Sequence, residues 1–290
     1  MIAAPRSILV TGASRGLGRD MALHLARSGF RVFAGVRRDE DGAKLQKEGG
    51  AAIQPVRLDV VDFRSIAAAR DLIAKTVGEA GLDGLVNNAA LATFGPLEQQ
   101  PLEEFEELFR VNLFGVVALT QAMLPLLRKA RGRLVNVSSG NGKLSMPFTA
   151  AYSASKFALE ALSDALRGEL RPFGIRVAVV QPGAMATDIR VKGVEAWARA
   201  HERLPDNEKA LYARALEAIY AAIHSWEAGA GPQADVSDAV LRALTDPEPL
   251  TRYPIGPMMD QLPALLAMTD TERDRMAAAM LGLVSVEVIP

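Results

Sequence analysis

Short apolar runs alternate with longer amphipathic stretches through the first 180 residues, and that alternation narrows the possible folds sharply. Runs at Ser7–Val10, Arg31–Val36, Ala52–Leu58, Leu82–Val86, Arg133–Val137 and Ile175–Val180 read as strands. Between them, 17–27, 39–48, 62–80, 102–127 and 152–172 carry helical spacing, as in Leu17, Met21, Leu25 and Ala26. Gly29 stands where a helix C-terminal cap would. Strands buried on both faces read as continuous apolar runs, as SILV and RVAVV do. The expected fold class is therefore α/β: a doubly wound parallel sheet with helices on both faces.

After Pro182-Gly183 the regularity weakens. Polar helical patches, Trp197 and His201 precede a break at Gly229-Gly231-Pro232. A helix at 236–245, a last strand near 250–255 and a Met- and Leu-rich tail follow, and the tail is open to three roles: closing a pocket, joining an interface or lying peripherally on a membrane surface. One domain over 1–290 is the simplest division: a core at 6–183, a variable substrate-loop insert at 184–234, and a C-terminal part at 235–290.

The balance of 33 basic against 34 acidic side chains lacks the basic footprint of a nucleic-acid binder. The absence of cysteine excludes disulfides and thiolate chemistry and fits a reducing, cytoplasmic setting. No signal-peptide pattern opens the chain, and the longest apolar stretch, 113–127, falls short of the ~20 residues of a spanning helix. His24, His201 and His224 show no metal-ligand spacing, so no metal is expected.

Two constellations carry chemistry. Thr11-Gly12-Ala13-Ser14-Arg15-Gly16-Leu17-Gly18 lies between the first strand and the first helix. Glycines there let backbone approach a pyrophosphate at the helix N-terminus. The spacing is neither Gly-x-Gly-x-x-Gly nor a P-loop, so a purely structural turn stays open on this motif alone. The second constellation is Tyr152 and Lys156, four apart on one helix face, with Ser139 just past the fifth strand. That strand end lies on the same sheet edge as the glycine turn, where ligands collect.

The segments TGASRGLG (11–18), Asp59, NNAA (87–90), Asn112, Ser139 in VNVSS, YSASK (152–156) and PGAMAT (182–187) run in one order along the chain. Together they resemble the short-chain dehydrogenase/reductase family in its single-domain, Rossmann-type subtype. Ala90 is the departure, standing where the family usually has glycine. The resemblance implies Tyr152 as general acid and base, and Lys156 as the ammonium that favours its phenolate and holds the nicotinamide ribose. It implies Ser139 as hydrogen-bond partner of the substrate oxygen, and Asn112 as holder of a water in a proton relay to Lys156.

The cofactor contacts it implies begin with Gly12, Ser14, Arg15, Gly16, Leu17 and Gly18. Arg37 follows the second strand, Asp59 and Val60 the third, Asn88 and Ala89 the fourth. Tyr152, Lys156, Pro182, Gly183 and Thr187 complete them. Val36 occupies the position where NAD readers carry a carboxylate. Arg37 follows and Arg15 stands in the turn, which favours the 2′-phosphate of NADP(H). Asp39 and Glu40 keep NAD(H) as the alternative.

The segments 91–94, 144–148, 185 onward and the 190–230 insert are expected to wall an apolar pocket for a small hydrophobic carbonyl or alcohol. Residues 147–173 and TRYPIG (251–256) resemble members related to 17-beta-hydroxysteroid and retinol dehydrogenases. By the same resemblance the helices 102–127 and 152–172 pack across a two-fold axis in a homodimer or homotetramer. A non-catalytic nucleotide-binding regulator, or a non-redox reaction on the same scaffold, are the competing readings.

Overall fold

Seven strands, β1 (Ser7–Thr11), β2 (Arg31–Val36), β3 (Ile53–Arg57), β4 (Gly84–Asn87), β5 (Arg133–Val137), β6 (Arg176–Pro182) and β7 (Arg252–Ile255), form one parallel sheet in the order β3-β2-β1-β4-β5-β6-β7. The computed structural model describes residues 5–187 and 228–280. Between them it describes Ile189, Gly193, Glu195, Ala198, Arg199, His201, Glu202, 204–213, Glu217, Ala221, His224 and Ser225. Trp197 and the tail past Met280 lie outside the described residues.

Alternate side chains of each strand feed two separate cores, as the period of two demands. Ile8, Val10, Val32, Ala34 and Val86 pack beneath α1 (Gly16–Arg27), α2 (Asp39–Gly49) and α8 (Gln233–Thr245). Leu9, Phe33, Leu85 and Leu134 pack on the other face against α3 (Phe63–Val77), α5 (Gly115–Ala130) and α6 (Ala150–Leu170). The α3 helix starts where Asp62 accepts the N–H of Arg64 at 2.9 Å. It ends at Val77 rather than Ala80, because Gly78 and Gly81 take φ of 54° and 76° and force a short 3₁₀ turn.

The expected helix 102–127 is a continuous helical segment from Leu102 to Ala130, built from α4 (Leu102–Phe109), a π-helical turn (Arg110–Phe114) and α5. At 29 residues it is the one helix among the described residues long and apolar enough to cross a membrane. The apolar reach is therefore longer than the sequence run 113–127 suggests. Its residues Leu119, Met123 and Leu127 are wholly enclosed in the core under β4 and β5.

Order reversal between β1 and β4 opens a crevice at the C-terminal ends of these strands. Beyond β6 the chain forms α7 (Asp206–Leu211), then α8, β7, α9 (Leu262–Ala267) and α10 (Asp270–Met280).

Candidate active site

Thr11, the last residue of β1, accepts the N–H groups of Asn88 and Ala89 on its Oγ1, both at 2.9 Å. Asn88 returns a 2.9 Å bond from Nδ2 to the Thr11 carbonyl. These bonds lash β1 to β4 where the strand order reverses. Gly12 and Gly16 take φ of +65° and +53°, and a Cβ on Gly18 would lie 2.2 Å from the Gly12 carbonyl oxygen. Only glycine fits so close a backbone approach. No side chain caps the start of α1, and its first turn carries no acidic residue. The N–H groups there remain available to an anion. The turn thus fits a dinucleotide pyrophosphate.

At the end of β2, Val36 is buried while Arg37 and Arg38 are exposed. Arg38 forks onto Asp41 through Nε and Nη2, both at 2.9 Å, and this bond holds the Asp41 carboxyl below its ordinary range. Asp39 lies 3.7 Å from Arg57. Past β3, Asp59 accepts the N–H of Val61 at 3.1 Å and gives its own N–H to Ser65 Oγ at 2.9 Å. Val60 lies against Gly115, where a Cβ would meet its carbonyl oxygen at 2.8 Å.

On α6, Tyr152 and Lys156 are both buried. Lys156 donates from Nζ to the Val137 carbonyl at 3.0 Å, and Nζ stands 5.8 Å from the Tyr152 ring centre. Burial pushes the Lys156 ammonium down to about 8, partly opposed by the Glu160 carboxylate one turn along the helix. Ser139 heads a short turn and accepts the Asn141 N–H on Oγ at 3.2 Å. Phe94 packs against Tyr152 with ring centres 5.8 Å apart.

One cavity of about 200 Å³ gathers much of the expected set. Leu17, Asn88, Ser139, Tyr152 and Lys156 line it, with Pro182, Gly183 and Thr187 from the end of β6. Gly12 and Gly18 adjoin it through Asn88, Gly12 touches Ala89, and Gly16 approaches Thr187. Ser14, Arg15, Arg37, Asp59 and Val60 are not among its lining residues.

Asn112 sits in the π-turn, is 1% exposed and does not line the cavity. Its Oδ1 accepts the Leu91 N–H at 2.8 Å, and Nδ2 donates to the Leu91 carbonyl at 2.9 Å and to Ser155 Oγ at 3.0 Å. The amide therefore clamps the loop after β4. Ala90 lines the cavity, and among the described residues the non-glycine positions with positive φ are Arg131, Phe148 and Met258, not Ala90. Its methyl is carried without the backbone strain that would require glycine.

Ala92, Phe94, Leu144, Met146, Met185 and Ile189 supply apolar walls from the expected segments. The remaining wall comes from beyond β7: Pro257, Met258, Met259, Leu262, Leu265 and Met276. Of the three roles open to the apolar tail on sequence alone, closing the pocket, joining an interface or lying on a membrane surface, these residues take the first. Asn141 and Thr149 were also missed; the Asn141 amide bonds Thr149 at 3.3 Å and Ser153 at 3.2 Å.

A dinucleotide cradle beside a buried Ser–Tyr–Lys cluster at a parallel-sheet switch point defines a nucleotide-dependent oxidoreductase. The family profile described as short chain dehydrogenase matches residues 6–197. The 17-beta-hydroxysteroid dehydrogenase type 6 of Bos taurus is 37% identical over 86% of this chain and 80% of its own. The mitochondrial D-beta-hydroxybutyrate dehydrogenase of the same species is 36% identical over 86% and 76%. A short-chain dehydrogenase structure from Streptomyces avermitilis superposes with TM-score 0.75 at 31% identity, covering 97% of this chain and 98% of that one. One from Burkholderia cenocepacia J2315 in complex with NADP gives 0.71 at 26% identity, with coverage of 97% and 98%. The chain belongs to the short-chain dehydrogenase family and is an oxidoreductase acting on CH–OH groups.

Proposed function

We propose that this chain moves a hydride between NADP(H) and an uncharged, apolar secondary alcohol or ketone. The observation that carries the reading is the buried Ser139, Tyr152 and Lys156 cluster opening into an apolar cavity beside the glycine turn. When bound, the nicotinamide supplies or takes the hydride. Tyr152 gives a proton from its hydroxyl to the substrate oxygen in reduction and recovers it in oxidation. Lys156 favours the phenolate through its positive charge. Ser139 hydrogen-bonds the substrate oxygen and stabilises charge as it develops. Asn112 acts through its grip on Leu91, with its amide already committed to that loop and to Ser155.

Preference for NADP(H) rests on Arg37, exposed past β2, on the buried Val36 at the position of an NAD-reading carboxylate, and on Arg15 in the turn. A guanidinium grips a phosphate bidentately. Asp39 and Glu40 support the second reading, NAD(H), though both lie past the strand end and Asp39 faces Arg57.

Among the described lining residues Lys156 is the one charged side chain, so the pocket suits a neutral substrate rather than a hydroxy acid. Met146, Met185, Met258, Met259 and Met276 contribute unbranched, polarizable walls that adapt to irregular apolar shapes. Phe114 and Phe157 are 60% and 43% exposed on the helices read as two-fold contacts, which supports a homo-oligomer.

A panel assay tests the reading. NADPH consumption and alcohol formation are followed with bulky neutral ketones and with their carboxylate-bearing analogues. The neutral ketones should turn over at least a hundredfold faster by kcat/KM; an equal or reversed ranking overturns the substrate assignment.

A further inference from the structure

Three segments wall the cavity from different parts of the chain, and one buried carboxylate ties all three to the helix that carries Tyr152 and Lys156. Glu160 lies on α6 two helical turns past Tyr152 and one past Lys156, so the three share a face. Its side chain is 4% exposed. Gln181, next to the lining residues Pro182 and Gly183, donates from Nε2 to Glu160 Oε1 at 2.8 Å. Arg252, at the start of β7 and upstream of the lining residues 257–259, donates from Nε to Glu160 Oε2 at 2.9 Å. Lys143, beside the lining residue Leu144, places Nζ 3.6 Å from the same oxygen. The fit is tight, since a Cβ on Gly142 would come within 3.0 Å of Glu160 Cγ.

We propose that Glu160 is a positioning residue for the active site: its carboxylate anchors the 140–146, 181–185 and 252–259 walls to α6 and keeps a negative charge beside the Lys156 ammonium. The kinetic consequences rest on the functional reading above; the anchoring and the charge do not.

Among the described residues, the charged groups that face Glu160 come from three elements. Lys156 is on its own helix, Lys143 on the turn after β5, and Arg252 on β7. Arg252 also forks onto Asp164 through Nη2, at 2.7 and 2.8 Å, and Asp164 takes Arg167 at 2.7 Å. Glu160 and Gln181 are buried and Arg252 and Lys143 partly so, and removing the Glu160 carboxylate leaves all three partners without it. Glu160 is the member that touches every wall. Its charge opposes the burial that lowers the Lys156 ammonium.

Glu160→Gln keeps the shape and removes the charge; Glu160→Asp keeps the charge and shortens the reach. Two readouts apply to each. The first is the titration of the Lys156 ammonium by nitrogen-15 NMR in cofactor-free protein, which needs no activity. The second is the pH profile of kcat and of KM for a ketone substrate.

In Glu160→Gln, Lys156 should titrate at lower pH, and the alkaline limb of the profile should move down with it. Glu160→Asp should leave that titration in place while KM for the ketone rises, on the order of tenfold, because the walls lose their anchor. Should Glu160→Gln not fold, Glu160→Asp alone decides: wild-type titration with raised KM supports the assignment, and wild-type KM overturns it. An unmoved Lys156 titration in folded Glu160→Gln overturns the charge role whatever the activity. A wild-type protein with no turnover on any substrate would instead defeat the functional reading and leave the titration result standing.

Discussion

The Lys156 ammonium lies 5.8 Å from the ring centre of Tyr152, on the same buried face of one helix, and is bonded at 3.0 Å to the carbonyl that ends β5. The sheet thus fixes the lysine, and the lysine faces the phenol. If that pair does the proton chemistry, Tyr152→Phe removes the transferable proton and nothing else of size. Turnover should fall by at least three orders of magnitude, while NADPH affinity measured by nicotinamide fluorescence stays within about threefold. Residual activity near wild type would exclude Tyr152 as the acid.

The buried lysine also makes a statement about stability and pH. Its ammonium is lowered from 10.5 to about 8, chiefly by burial. Between these values the unfolded chain holds a proton that the folded chain does not, so folding gains stability from this group as pH rises. Lys156→Met removes the group. Wild-type stability minus that of the variant should therefore increase from pH 8 to 10.5, by about 2–4 kcal/mol. Denaturant melts of both proteins across that range check the sign. Activity should run the other way, declining as pH climbs through about 8 and the charge is lost.

Arg37 and Arg38 are adjacent in sequence and differ in employment. Arg38 is locked onto Asp41 by two 2.9 Å bonds, whereas Arg37 is exposed at the β2 edge. Arg37→Ala should weaken NADPH by about tenfold to a hundredfold and leave NADH within about twofold, in paired titrations at fixed salt. Equal losses for the two nucleotides would remove Arg37 from the phosphate site.

Asn112 holds the loop after β4 by both backbone groups of Leu91. Asn112→Ala leaves the part-buried N–H and carbonyl of Leu91 without their partner and should cost about 1–3 kcal/mol in unfolding free energy. It should also reduce kcat, since the loop carries Ala90, Ala92 and Phe94 into the cavity. An intact melting curve with reduced activity would point instead to a direct chemical role for the amide.

Local signals made the sheet and the sequence-expected part of the site readable. SILV and GLVN are buried along their lengths, and so is VAVV after the exposed Arg176, as continuous apolar runs between two helix layers must be. Tyr152, Lys156 and Ser139 were placed together by helix period and strand end, and the cavity brings them together. Long-range pairings were the less legible part. Asn87 bonds Asn136 at 2.9 Å and Asn136 bonds Ser163 at 2.9 Å, across two strands and a helix. Such a buried ladder has no local period. The π-turn at Asn112 is equally hidden, because five helical residues look alike whether the backbone bonds to i−4 or i−5. The wall from Pro257 to Met276 is apolar in sequence, but pattern alone leaves pocket, interface and membrane surface equally open to it, since the tertiary path after β7 decides where it lies.

The most direct test of hydride transfer follows the hydrogen itself. The protein is incubated with NADPH carrying deuterium at both C4 positions and a bulky neutral ketone, and the product alcohol is analysed by mass spectrometry and NMR. One deuterium should appear on the carbinol carbon of each product molecule, with one oxidised nucleotide formed per alcohol. Substrate conversion without deuterium at that carbon, and without nucleotide oxidation, would contradict the account.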